Sequence, residues 1–229
     1  MPNDELPDWD RVLSAAAHLQ KILPDAVLVG GTASAAYAKH RVSQDADHVV
    51  GDLRQRFDEI LAQLESVAGW TTARVKRPVL ILGSLDGIET GVRQLIRSAP
   101  LQTTQIEHGG ERITVPTEAE ILRIKAALIL KRNATRDYLD FIALATRIGE
   151  SKTVEALRDF DVLYPQANGE SAILQLQIQL ANPLPFDLDT VKLSEYKLLD
   201  PCWHEWASVQ GACQRIAEVI FDVIVGAGR

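Results

Sequence analysis

The chain has 229 residues, 46% hydrophobic and 24% charged, which is enough apolar mass for one large domain or two small ones with a sizeable core. A formal net charge of −7 excludes a generic basic nucleic-acid coat, so any RNA or DNA contact has to come from a local patch. Cys202 and Cys213 lack C-x-x-C spacing, which excludes a disulfide framework and a zinc site and fits a reducing compartment. The acidic start MPNDELPDWD has no apolar signal-peptide core, and the tail IAEVIFDVIVGAG is too short and too charged to span a bilayer. The expectation is a cytoplasmic protein with no membrane contact.

In chain order, DWDRVLSAAAHLQKIL spaces Val12, Leu13, Ala16, Leu19 and Ile22 near a helical period, with Asp8 as its cap and Pro24 as its stop. AVLVG reads as a short buried strand, GTASAAYAKH as a helix opening at Gly31, and ADHVV as a second strand. DLRQRFDEILAQLESVAG repeats Leu53, Phe57, Ile60, Leu61 and Leu64 on one face and stops at Gly69. WTTARV, VLILGS and IETGVRQLI are strands, with LDG a turn between the last two, and QTTQIEHGGERITV is a hairpin about Gly109 and Gly110. Beyond Pro116 the pattern becomes helical. TEAEILRIKAALILKR opens with a Thr117–Glu120 capping box and NATRDYLDFIALATRIG with Asn133 as cap. SKTVEALRDFDVLY, ESAILQLQIQLA and PCWHEWASVQGACQRIAEVIFDVIV carry helical periods. The fold class is therefore α+β, with a sheet-bearing part over residues 1–115 and a helical part over 116–229.

The stretch VLVGGTASAAYAKHRVSQDADHVV concentrates the chemistry. A strand that ends in Gly-Gly-Thr and opens a helix is a phosphate seat, because glycines admit close backbone approach and the first helical amides point at the anion. Asp45 and Asp47 fall on one face of the following strand, about 7 Å apart. At that distance they repel each other unless a cation lies between them, and Mg²⁺ takes one or two carboxylates plus substrate phosphates. Read singly, Gly-Gly is usually a tight turn and D-x-D a solvated turn. Together, and flanked by strands, they point to nucleotide-dependent phosphoryl-type transfer.

GGTASAAYAKHRVSQDAD resembles the core motif of the nucleotidyltransferase superfamily, specifically the AbiEii-type toxins of bacterial type IV toxin–antitoxin systems. The pattern hGGTALAhhhxHRxSxDhDhh is matched at Gly30, Gly31, Thr32, Ala33, His40, Arg41, Ser43, Asp45 and Asp47. A second block, K-x-x-A…R…RDxxD, is matched at Lys125, Arg132, Arg136, Asp137 and Asp140. The resemblance spans roughly residues 25 to 145. It implies a polymerase-β-like fold, with a small mixed sheet carrying the metal site and a helical C-terminal part. It also implies transfer of a nucleoside monophosphate from an NTP to an acceptor hydroxyl on RNA, tRNA included, or on protein. The cofactor would be Mg²⁺ or Mn²⁺, and the partner a cognate antitoxin protein.

On that resemblance Asp45 and Asp47 bind metal, and Gly30, Gly31 and Thr32 seat the β- and γ-phosphates. Ser43, two before Asp45, reaches a phosphate or water. Lys125 neutralises the triphosphate, and Arg136 counts with the nucleotide-binding residues. Asp137 and Asp140 share a helix face; one orients Lys125 or the acceptor and the other pairs with Arg136 or Arg132. The third metal-binding carboxylate is expected on IETGVRQLI, where Glu89 is the only acid, with Asp86 in the preceding turn. If no third acid faces the site, the second metal is poorly held. The alternative is then a catalytically silent nucleotide- or partner-binding module on the same fold. Arg74, Lys76, Arg77, Arg93 and Arg97 are candidates for a local basic patch. His48 reads as a buried histidine facing away from the site, and Trp70, Trp203 and Trp206 as packing residues.

Overall fold

In the computed structural model, which describes residues 9–167 and 169–227, the first apolar stripe forms α1 (Trp9–Ile22). Asp8, its expected cap, lies outside the described residues. The chain divides into two compact units, one built from Met1–Ala33 and Ser43–Thr117, the other from Ser34–Val42 and Glu118–Arg229.

The first unit is a mixed sheet backed by two helices. Its strands are β1 (Val27–Leu28), β2 (Ala46–Val50), β3 (Trp70–Lys76), β4 (Leu80–Leu85) and β5 (Ile88–Gln94), in the order β1-β2-β5-β4-β3. β2 and β5 run parallel and the other neighbours antiparallel. α2 (Gly30–Ala38) begins in this unit, and α3 (Leu53–Glu65) links β2 to β3. Alternation sets the two faces. In β2 the side chains of Ala46, His48 and Val50 are buried, while Asp47 and Val49 point the other way. The buried face meets Leu19 of α1, Leu23 just beyond it, and Leu53, Phe57, Ile60 and Leu64 of α3, with Val50, Ile81, Leu85, Val92 and Trp70 from the sheet. Each such side chain contributes about 1.5–3 kcal/mol when fully buried, so this face alone accounts for much of the unit's cohesion. His48 is wholly buried and accepts this burial as a neutral ring; desolvation lowers its pKa to about 4. The hairpin β6 (Thr103–His108) and β7 (Glu111–Pro116) turns at Gly109 and Gly110 as its sequence predicts, and forms a separate two-stranded sheet.

The second unit is helical. α4 (Glu118–Arg132) packs on α5 (Thr135–Ile148), α6 (Glu150–Leu157) and α8 (Ala172–Ala181), and α9 (Trp206–Ala227) packs on α5, α6 and α8. SKTVEALRDFDVLY makes two helices, α6 and the short α7 (Phe160–Leu163). Asn133 is not the cap of α5, contrary to the sequence expectation. It adopts a left-handed conformation (φ +47°) at the end of α4, donates its amide to the Leu184 carbonyl and accepts the Tyr138 hydroxyl. Asp187 does the capping from 52 residues away, accepting from both the Thr135 amide and hydroxyl at 2.8 Å. Trp203 is buried, and Trp206 stands edge-on to Tyr138 at 6.1 Å, both as packing residues. Among the described residues no helix is long and apolar enough to cross a membrane.

Candidate functional site

In the first unit the glycine turn and the aspartate pair are clamped together by short bonds. The Val29 amide donates to the Asp47 carbonyl at 2.8 Å, and the Thr32 hydroxyl donates to the Asp45 carbonyl. The Ser43 hydroxyl donates to Asp45 Oδ1 at 2.7 Å. Thr32 and Ser43 are both buried, so in this arrangement they hold the acid pair in place instead of facing outward.

Asp47 lies between two glycines. Gly30 has φ +74°, a conformation that favours glycine, and a Cβ there would stand 3.4 Å from Asp47 Cβ. On the neighbouring strand Gly91 is the direct register partner of Asp47, and a Cβ there would fall 2.6 Å from Asp47 Oδ1 and 2.8 Å from Leu82. The strand interior glycine thus makes room for the carboxylate. Arg93, two residues on and on the same face, brings Nε and Nη2 to 3.5 Å from Asp47 Oδ1. Beside these groups α2 opens at Gly30 and Gly31 with its first amides and the positive end of its dipole, an arrangement that favours an anion.

Glu89 is exposed on the Asp47 face of β5, two positions before Gly91. Asp86 sits in the β4–β5 turn at φ +53° and pairs with His18 Nδ1 at 2.7 Å. Among the described residues, no three acidic, histidine or cysteine side chains come together to hold a metal. Asp45 and Asp47 are carboxylates of the kind that would hold a hard divalent ion completed by phosphate and water oxygens.

The second block of sequence-predicted residues forms a separate cluster in the helical unit. Asp140 is 0% exposed and accepts from His40 Nε2 at 2.7 Å and Arg41 Nε at 2.8 Å, with Lys125 Nζ at 2.7 Å. Burial pushes the Asp140 carboxyl up, but Arg41, Lys125 and the His40 hydrogen bond together hold it well below the usual carboxylate range. Lys125 is itself buried, so its ammonium is oriented by Asp140. Arg41 also lies over the Tyr196 ring at 5.5 Å, and burial raises that phenol to about 12. Asp137, on the same helix face, is buried against Arg132 at 2.5 Å, and Arg136 is exposed. His40 and Arg41 reach Asp140 across about 100 residues of chain.

The basic residues separate into two groups. Register pairs place Arg74 beside Leu82 and Gly91, and Lys76 beside Leu80 and Arg93, so Arg74, Lys76 and Arg93 share the Asp47 face of the sheet. Arg77 instead pairs with Asp58 and covers the Phe57 ring at 4.9 Å, and Arg97 donates to the carbonyls of Ala99 and Pro100. Sequence reasoning gave neither Gly91 nor the Arg93–Asp47 contact. A glycine inside a strand was the available signal, since it marks a close approach.

No protein-family model matches the chain. By sequence it is 31% identical over 197 residues to the heme uptake protein MmpL11 of Mycobacterium tuberculosis, a match covering 79% of this chain. It is 29% identical over 129 residues to the mycolic acid-containing lipids exporter MmpL11 of Mycolicibacterium smegmatis. The chain spans only 20% and 13% of the length of these curated relatives. By structure, a Helicobacter pylori protein assigned as a nucleotidyltransferase matches with a TM-score of 0.58 at 17% identity, covering 98% of both chains. JHP933 from Helicobacter pylori matches with a TM-score of 0.55 at 15% identity, covering 99% of this chain and 96% of that one. At these identities the likeness shows the fold: an α+β nucleotidyltransferase architecture with a small mixed sheet and a helical C-terminal part.

Proposed function

We propose that this chain is a divalent-cation-dependent nucleotidyltransferase that moves a nucleoside monophosphate from an NTP to an acceptor hydroxyl on RNA, tRNA included, or on protein. On this reading it acts in the cytoplasm as the toxin of a toxin–antitoxin pair, restrained by a cognate antitoxin protein. The observation that carries the reading is the Asp45–Asp47 pair, clamped by Val29, Thr32 and Ser43 beside the glycine-opened start of α2. Both carboxylates are partly exposed, and Asp47 lies beside Gly30 at the opening of α2.

The acceptor oxygen forms a bond to the α-phosphorus, and the bond from that phosphorus to the bridging oxygen breaks. Pyrophosphate carries the bridging oxygen away, and the hydroxyl proton goes to water. Asp45 and Asp47 are the residues that would hold Mg²⁺ or Mn²⁺. When bound, such an ion neutralises charge on the phosphates. The amides of Gly30 and Gly31 seat phosphate oxygens. Lys125 and Arg136, the cations that the sequence resemblance assigns to the triphosphate, lie in the helical unit, where Asp140 fixes the buried Lys125. Incubation with each α-³²P-labelled NTP, Mg²⁺ and total bacterial RNA tests this. Label on RNA or protein that disappears in Asp45→Ala/Asp47→Ala supports it, and equal labelling by that variant ends it.

A second reading is a catalytically silent nucleotide- or partner-binding module. Gly91 in register with Asp47, and the lack of a three-acid cluster among the described residues, favour it. So do the relatives, whose names describe transport and not transfer. It gives NTP binding without any labelled product.

A further inference from the structure

Resting on the nucleotidyl-transfer reading of this site, we propose that it works with one divalent ion, and that the Arg93 guanidinium stands where a second ion would, as a fixed positive charge for the triphosphate. Three features lead there. First, the strand position next to Asp47 is closed to any side chain, because a Cβ on Gly91 would fall 2.6 Å from Asp47 Oδ1. An acid cannot share Asp47 from that position without displacing it. Second, the next residue on that face of β5 is Arg93, and both Nε and Nη2 converge on the same carboxylate oxygen at 3.5 Å. That separation is longer than the 2.7 Å pairing of Lys125 with Asp140, and Arg93 is 45% exposed. The guanidinium is therefore held near the acid while the side chain stays partly open to solvent. Third, Asp47 Oδ2 points the other way, toward Gly30 at the start of α2, 3.7 Å from where a Cβ would stand. One oxygen faces the arginine and the other the helix end where an anion is favoured.

A guanidinium suits this task. It stays charged at every working pH, and its planar fork of N–H donors matches two phosphate oxygens at once, which an ammonium does not do. Two carboxylates carry the charge that one divalent ion balances. A second ion would need further protein oxygens, and Glu89, exposed one register step away, is the residue that could supply them. The proposal and its rival thus differ in the roles of two residues on one strand, Arg93 and Glu89.

Equilibrium dialysis with Mn²⁺ and a saturating α,β-methylene NTP analogue tests it, with thermal melts by circular dichroism confirming that each variant folds. The wild type should bind one Mn²⁺ per bound analogue, and Glu89→Gln should leave that count at one. Arg93→Ala should keep the single Mn²⁺ and weaken the analogue at least tenfold, with Arg93→Lys recovering part of the loss. Two Mn²⁺ per analogue in the wild type, falling to one in Glu89→Gln, overturns the proposal while leaving the nucleotide reading intact. So does unchanged analogue affinity in Arg93→Ala. A wild type that binds no analogue overturns both.

Discussion

Asp140 in the helical unit and Asp47 in the sheet unit are both carboxylates beside an arginine, yet they do opposite things with their charge. Asp140 is sealed from solvent and surrounded by His40, Arg41 and Lys125 within 2.8 Å. Its charge is committed to the fold, because removing it would leave buried cations without a counter-charge. Asp47 is 25% exposed, and the Arg93 guanidinium stands at 3.5 Å from it, so its charge is shared with solvent. The chemical identity of the side chain does not separate these roles. Burial and the spacing of the opposite charges do.

The largest effect that would break this comparison is at Asp140. Replacing it with alanine should destabilise the protein by about 3–5 kcal/mol, the usual penalty for orphaning a buried charge. Urea unfolding measures this, and a loss below about 1 kcal/mol would show that the cluster is not structural. The same group gives a pH dependence. Its folded pKa lies below the unfolded value, so its contribution is present above about pH 4 and is lost as pH falls through the folded pKa. Melting temperature against pH should therefore show an acid limb that Asp140→Asn lacks.

Next in size is Gly91→Ala. Pressing a methyl group into the space of Asp47 Oδ1 and Leu82 should cost about 1–3 kcal/mol and also weaken Mn²⁺ binding, which calorimetric titration would read. Smallest in stability is Asp45→Asn/Asp47→Asn. It should stay within about 0.5–1 kcal/mol of wild type, since both side chains are partly exposed and asparagine keeps an acceptor oxygen, while Mn²⁺-dependent nucleotide binding is lost. A large drop in stability would move the sheet acids into the same class as Asp140.

The difference between the two sites also explains how much was legible in the sequence. The alternation of ADHVV, VLILGS and IETGVRQ, and the helical period of DLRQRFDEILAQLE, identify their elements because each pattern is set by local geometry. The Gly-Gly-Thr turn and the D-x-D pair are close enough in the chain for their juxtaposition to be read directly. What the sequence hides is what distant segments bring together. His40 and Arg41 reach Asp140 across about 100 residues, and Asp187 caps α5 in place of Asn133. The Asp47–Gly91 contact depends on the register of a parallel pair, and one residue of slip would turn every side chain to the other face. Thr32 and Ser43 look like ligand contacts in the motif because nothing local reveals that their hydroxyls are already bonded to Asp45.

The rim of the sheet has its own consequence. β3 is the outermost strand on one side. It is largely exposed, interrupted by an irregularity between Thr72 and Arg74, and studded with Arg74 and Lys76. On the opposite side β1 is only two residues long. A free strand edge is a template onto which another chain can add and so seed aggregates, and charge, a bulge or shortness each remove that template. The sheet is therefore a poor nucleus for strand-to-strand growth, and concentrated solutions of Arg74→Val/Lys76→Val should scatter light sooner than those of the wild type.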